Sequence, residues 1–212
     1  MSHLMDAREV STRSSRHPQL KAIRFSLAVA TLVAAFVSVS SPAQANWGSF
    51  SGGPWIANNI FHDVTFSNVE EPQKTATLWA MDNELSSTVI KPNFCSGCAN
   101  FDVKVFDSNL GDNGAVAMVQ CPSSATTGGS HPQQWCYGQH LTYNLFYGSK
   151  YATWDQRRSR ACHELGHTVG LRHTDVESNY PDPNSSCMVP RSDIQPFTYT
   201  PHDKGHINDK YS

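Results

Sequence analysis

The stretch from Thr153 to His173 constrains the fold more than any other part of this chain. Thr153-Trp-Asp-Gln156 matches a capping box, with Thr153 at the N-cap and Gln156 as the third helical residue. Apolar residues then recur at helical spacing, and Gly170 stands where a left-handed glycine would end the helix. The sequence therefore predicts a helix over residues 154–169, about 24 Å long, followed by a turn that sends the chain back toward it.

Three histidines and one glutamate occupy fixed positions on this segment. His163 and His167 are four residues apart, so their rings rise from one face of the helix. His173 follows Gly170 by three residues, and the turn at the glycine would bring it to the same point. Zinc prefers neutral imidazole nitrogens at about 2.0–2.1 Å. Glu164 is turned about 100° round the helix from His163, so it misses the ion but can act as general base on a water beside it.

Other interpretations of the same residues are open. Paired histidines at helical spacing are usually ordinary surface or core residues, and a short HExxH pattern also arises by chance. The main alternative to a catalytic zinc site is a non-catalytic site in a secreted zinc-binding protein. Structural zinc sites, however, normally have four protein ligands. Asp175 could supply a fourth ligand or replace His173. A gluzincin arrangement, in which a glutamate on a second helix is the third ligand, is less favoured, because Glu177 is too close in sequence to the first helix to lie on a second one. The common register of three histidines and one glycine favours the catalytic site.

The full pattern from His163 to His173 resembles the extended signature HExxHxxGxxH of the metzincin clan of zinc peptidases. In that clan a Met-turn follows the third histidine. Residues 185–190 are similar to such a turn, with Met188 as the methionine that lies beneath the metal. Residues 201–211 are similar to the closing helix of matrixin-like members, and the resemblance is diffuse over residues 60–145.

The resemblance implies an α+β fold with a twisted, mostly parallel sheet, packed helices and a small loop-rich C-terminal subdomain that ends in a helix. It also implies a zinc endopeptidase of the matrixin-like secreted bacterial type, which hydrolyses peptide bonds through a zinc-bound water activated by Glu164. Two positions depart from the clan. Pro190 stands where astacin- and serralysin-type members carry a tyrosine, and Thr174 differs from the Ser or Asp of matrixins and adamalysins. The subfamily is therefore open.

Residues 1–45 contain basic, apolar and small-residue regions in the order typical of a secretory signal peptide. Basic residues precede an apolar run from Phe25 to about Val39, and Ala43-Gln-Ala45 forms a small-x-small cleavage pattern. The run is short for a membrane span. We expect cleavage before Asn46 and an extracellular protein. The remaining 167 residues of the 212 suit one catalytic domain, with an N-terminal subdomain over 46–170 and a C-terminal subdomain over 171–212.

The charge of the mature part limits its partners. The leader holds five Lys/Arg and two Asp/Glu, which leaves 11 basic and 16 acidic residues and no basic cluster. Nucleic acid is therefore an unexpected partner, and so is a membrane once the leader is removed. The expected partner is a peptide or protein substrate, and the chain is expected to be a monomer.

Six cysteines lie in the mature part, and an even number in an exported chain predicts disulfides. We expect neighbours to pair, namely Cys95 with Cys98, Cys121 with Cys136, and Cys162 with Cys187. Cys95-Ser-Gly-Cys98 could instead be half of a zinc site or a redox pair, but no second CxxC or nearby histidine completes such a site. A Cys162–Cys187 bond would join the active-site helix to the Met-turn.

The rest of the chain predicts an α/β amino-terminal half. We expect strands at 62–67, 101–106, 115–119 and 139–144, helices at 72–86 and from Thr200 onward, an irregular lead-in over 46–59 and a loop over 174–198. Calcium is an alternative for the oxygen-rich segments 107–114 and 175–182, although neither matches an EF-hand and turn residues are favoured. Three residues could approach the metal as oxyanion stabilisers, but surface roles are favoured for them: Tyr180, Tyr199 and His202.

Overall fold

The structure is a computed structural model that describes residues 45–51, 53–174, 186–190 and 196–212. The leader up to residue 44 lies outside these ranges, as do Asp175, Glu177, Tyr180 and the oxygen-rich segment 175–182. Within them, none of the helices has the length and apolar character that a membrane span requires.

The described residues form nine strands and three α-helices, with 3₁₀ segments at Leu85–Ser87 and Leu145–Tyr151. In chain order the elements are β1 (Ala45–Trp47), β2 (Phe61–Phe66), α1 (Glu71–Asn83), β3 (Lys91–Phe94), β4 (Val103–Ser108), β5 (Ala117–Gln120), β6 (Thr126–Gly128), β7 (Trp135–Tyr137), β8 (Gln139–Asn144), α2 (Trp154–Thr168), β9 (Leu171–Thr174) and α3 (Pro201–Tyr211).

Five strands form the central sheet in the order β3-β2-β4-β8-β5. The first four run parallel, and β5 pairs antiparallel with β8 at the end of the sheet. Val103, Val105 and Leu141 are buried at the centre, as expected for parallel strands that are covered by helices. The α+β class and the mostly parallel sheet predicted from the sequence are therefore confirmed.

Helices α1 and α2 pack on this sheet to form the main core. Val64 and Leu141 from the sheet meet Ala80 and Met81 of α1 and Leu165 of α2 in one buried cluster. The predicted helix at 72–86 is present as α1, but it ends at Asn83 and the chain continues as a 3₁₀ turn. Small alanines on α1 allow the two helices and the sheet to approach closely.

A second core surrounds the end of α2 and the C-terminal part of the chain. Leu85 and Ile90 from the first half of the chain contact Val169, Leu171 and further residues there, among them Met188 and Ile207. The irregular lead-in predicted over 46–59 is partly wrong, because β1 pairs antiparallel with β9. The strands β3, β6, β7 and β9 were also not predicted, since each is short and lacks alternating hydrophobicity.

All six cysteines are paired with their neighbours in sequence: Cys95 with Cys98, Cys121 with Cys136, and Cys162 with Cys187. The predicted pairing is confirmed, and no free cysteine is present among them. Three disulfides in a chain of this size point to an oxidising, extracellular compartment. The third bond joins the middle of α2 to the segment that carries Met188.

Candidate metal centre

Helix α2 is held at both ends by local interactions that the sequence encodes. The Thr153 hydroxyl accepts a hydrogen bond from the Gln156 amide, and the Gln156 side chain accepts one from the Thr153 amide. At the other end Gly170 has a φ of +95°, and a Cβ there would lie 2.7 Å from the Ile56 side chain. Both the conformation and the space require glycine, so the predicted helix stop is confirmed.

The three predicted histidine ligands converge on one point. Their Nε2 atoms lie 3.1 Å apart in all three pairs that His163, His167 and His173 form. Two ligands of a tetrahedral ion at about 2.0–2.1 Å would lie about 3.3 Å apart. The spacing therefore suits a metal ion, and among the described residues this is the group of donors that could hold one.

Hydrogen bonds at Nδ1 of His163 and His167 leave the Nε2 atoms of these rings free to bind a cation. Nδ1 of His163 lies 2.7 Å from the carbonyl of Cys187, and Nδ1 of His167 lies 2.8 Å from that of Leu171. A carbonyl only accepts, so each Nδ1 carries the proton and each Nε2 keeps its lone pair. Lone pairs that face each other at 3.1 Å repel, and a cation between them removes that repulsion.

Loss of contact with water keeps the imidazoles in the neutral form that a metal requires, although His173 is the most exposed of the three residues. It is the largest cause of a lowered pKa at all three rings: the pKa of His163 lies well below its ordinary value, that of His167 is about 3, and that of His173 is also lowered. A neighbouring histidine adds to the effect at His163 and His167. The site therefore disfavours protons and retains the ability to bind a metal.

Glu164 lines the same cleft as the histidines and is almost fully buried. Burial raises the pKa of its carboxyl from 4.5 to about 7, although the guanidinium of Arg160 opposes the shift. The Arg160 Nη1 lies 3.9 Å from Oε1 of Glu164, one helical turn away. A carboxyl with a pKa near neutrality can both accept and return a proton, which is what a general base needs.

Met188 lies buried directly against α2. A Cβ at Gly166 would overlap its sulfur and lie 3.2 Å from the ring of Tyr199, so only glycine fits at this position between His163 and His167. The Cys162–Cys187 disulfide holds the Met188 segment in place. Through the Cys187 carbonyl, the same segment orients His163.

An open cleft of about 780 Å³ leads to the three histidines. Its lining includes residues 114–119, which run into β5, together with Phe50, Gly53, Pro54, Arg172 and Pro190. Among the described strands, β5 pairs with β8 and ends the sheet. Residues of this terminal strand therefore border the cleft.

Two of the remaining predicted residues have structural roles. Tyr199 is buried and its hydroxyl donates to the Cys162 carbonyl at 2.8 Å, so the expected surface role was wrong. His202 is half-buried on α3, with its Nε2 2.8 Å from that of His206. Neither residue lines the cleft. Tyr180 lies outside the described residues.

The oxygen-rich segment 107–114 is held by hydrogen bonds within the chain. The Asn144 side-chain amide donates to the carbonyls of Gly111 and Ala115 and to Asn113 Oδ1 at 3.0–3.1 Å. Asp112 accepts from the hydroxyl of Tyr147. These contacts are those of a turn, and a calcium ion at this segment stays a prediction.

Sequence reasoning missed several residues around the site. Arg160, Phe50 and Arg172 line the cleft, and no motif pointed to them. Arg160 alone had a local signal, since it lies four residues before Glu164 on a predicted helix and such pairs share a face. Phe50 and Arg172 reach the cleft only through tertiary contacts.

Comparison of the chain with known protein families finds no family model that matches it, and comparison with curated proteins finds no match either. The function must therefore be argued from the site.

Proposed function

We propose that this protein is a secreted zinc-dependent endopeptidase of the metzincin type. The observation that carries the proposal is the convergence of three neutral imidazoles beside a buried carboxyl, at the bottom of a cleft bordered by the terminal strand of a sheet. Each part has a separate use in peptide hydrolysis, and no simpler role needs them all.

His163, His167 and His173 would hold the ion through Nε2. Three protein ligands suit a catalytic zinc site, which keeps a further position for water or substrate, rather than a closed structural site. Zinc bound there would polarise the scissile carbonyl and lower the pKa of a water molecule to about 7.

Glu164 would act as the general base. Its buried carboxyl accepts a proton from the attacking water and returns it to the departing amine. Water is the nucleophile, so no serine or cysteine is needed at the site.

Strand β5 would bind the substrate. An extended peptide can add to the outer edge of a sheet through backbone hydrogen bonds, which do not depend on its sequence. The side chains of Phe50, Pro54 and Pro190 then border the cleft and would limit which residues fit. This arrangement favours a peptide or protein substrate over a small molecule.

The non-catalytic alternative explains less of the site. A zinc ion that only joined α2 to β9 would have no use for Glu164, whose burial with a raised pKa costs stability. An open cleft would also serve no purpose in a closed structural site. Secretion follows from the predicted leader and agrees with the three disulfides.

The test is hydrolysis of a broad peptide library by the purified protein, with and without a chelator. We expect cleavage that the chelator abolishes and added zinc restores. Glu164→Gln should retain zinc but lose about 10²–10⁴-fold in turnover, whereas His167→Ala should lose both. The exposed Glu71→Gln is the control and should behave as wild type. Full activity of Glu164→Gln would refute the mechanism, and bound zinc without any hydrolysis would favour the non-catalytic alternative.

A further inference from the structure

The chain before β2 contacts the strand that carries the third histidine. We call residues 46–49, which follow the expected cleavage site, the N-terminal strap. It pairs antiparallel with β9, with Trp47 opposite Leu171. The strap then continues past the helix end, where the Gly48 amide donates to the Gly170 carbonyl at 2.9 Å. The strap thus runs beside the connection between α2 and His173.

Side chains reinforce this pairing from both directions. The Trp47 indole donates to the Val169 carbonyl at 3.2 Å. From the other side, the guanidinium of Arg172 donates to the carbonyls of Gly48 at 2.5 Å and Ser49 at 3.1 Å. Arg172 immediately precedes His173, so the strap is fastened next to the ligand itself.

The strap is also fixed to a second part of the protein. The Ser49 amide donates to the Pro132 carbonyl at 2.9 Å, and the Ser49 hydroxyl accepts from the Gln134 amide at 3.0 Å. Gly48 has a φ of +100°, and a Cβ there would lie 2.9 Å from the Cβ of Pro132. The strap is therefore held between the loop at 131–134 and β9, with little space to shift.

The third ligand lies on a different element from the first two. His163 and His167 are fixed by the geometry of α2 and by Nδ1 hydrogen bonds to carbonyls. His173 extends from β9, so the strap that pairs with this strand acts on the backbone that carries its ring. That backbone follows a glycine turn, which by itself is the least restricted part of the segment.

We propose that the N-terminal strap is a positioning element for His173 and thereby sets the affinity of the site for its metal. The proposal rests on the metal site described above. Among the described residues, the strap makes no hydrogen bond with the side chain of His163 or His167, and its bonds to Arg172 lie next to His173. We therefore expect substitutions in the strap to weaken metal binding more than they reduce the stability of the fold.

The test compares two strap variants with a matched control by competition for zinc against a chromophoric chelator. Gly48→Ala strains the strap without altering any ligand, and Trp47→Phe removes the indole donor together with part of the packing against the second core. Gly97→Ala is the control, because Gly97 also has a positive φ of +67° but nothing within 4 Å of an added Cβ. Thermal unfolding of each metal-free protein is measured in parallel.

We expect Gly48→Ala to weaken zinc binding about 10–100-fold, as loss of supporting contacts around metal ligands typically does, and Trp47→Phe to weaken it less. Gly97→Ala should bind zinc as wild type does, even if it unfolds at a lower temperature. Strap variants that bind zinc as tightly as wild type would overturn the proposal. If Gly48→Ala does not fold, Trp47→Phe decides by the same criterion. Failure of the wild type to bind zinc would instead refute the proposed function.

Discussion

The substitution Glu164→Gln should stabilise the metal-free protein while it abolishes turnover. The carboxyl is almost fully buried, and its pKa is raised from 4.5 to about 7. Between these values the folded chain binds more protons than the unfolded chain, so stability falls as pH rises. At pH 8 the buried carboxylate therefore costs stability, and the neutral, nearly isosteric glutamine does not.

The size of the effect follows from the shift. About 2.5 pH units at about 1.4 kcal/mol each give roughly 3.5 kcal/mol at pH 8, which corresponds to about 7–14 °C in the midpoint of thermal unfolding for a domain of this size. Below about pH 4.5 both proteins carry a neutral side chain, and the difference should vanish.

Urea unfolding in the presence of a chelator, repeated from pH 4 to pH 8, measures this difference. Glu71→Gln serves as the control, because Glu71 is exposed on α1 and its replacement removes a carboxylate that is not buried. Equal stability of Glu164→Gln and wild type at pH 8 would refute the reasoning that burial raises the pKa of the Glu164 carboxyl.

Further predictions concern the packing beneath the metal site. Cys162→Ser removes the bridge between α2 and the segment that carries Met188, and urea unfolding should report a loss of about 2–5 kcal/mol in the free energy of unfolding; an unchanged midpoint would contradict this. Gly166→Ala should lower the free energy of unfolding by about 1–3 kcal/mol, because the added methyl overlaps a buried methionine sulfur. Gly205→Ala in α3, with open space around it, should raise that free energy by about 0.5–1 kcal/mol. An equal gain in stability for both variants would disprove the overlap. Tyr199→Phe should lower the free energy of unfolding by about 0.5–1.5 kcal/mol through the loss of its hydrogen bond, and it should leave kcat/KM unchanged. A hundredfold fall in kcat/KM would instead favour a role for Tyr199 as an oxyanion stabiliser.

The local part of the site could be predicted because local geometry determines it. A four-residue spacing brings His163 and His167 together on any α-helix, and the capping box at Thr153 marks where that helix begins. The disulfides between sequence neighbours were also predictable, since short loops close readily. The sheet was recognised as mostly parallel, but its short strands were missed wherever pairing rather than hydrophobic pattern creates them.

Tertiary structure decided what surrounds the ligands. Nothing in the sequence near Trp47 indicates that its indole meets the carbonyl of Val169, more than a hundred residues away. The same holds for Arg172, which no motif singled out and which donates a hydrogen bond to the Gly48 carbonyl of the strap. Contacts between distant segments depend on the whole packing arrangement, and no local periodicity encodes them.

The sequence by itself determined which atoms can bind a metal, because the identity and spacing of His163, Glu164 and His167 are properties of one helix. The tertiary structure alone decided whether those atoms are neutral, oriented and accessible. Burial in the folded core lowers the histidine pKa values and raises that of Glu164, and backbone carbonyls from other segments fix the tautomers. Desolvation and hydrogen bonding arise only when distant parts of the chain enclose the site.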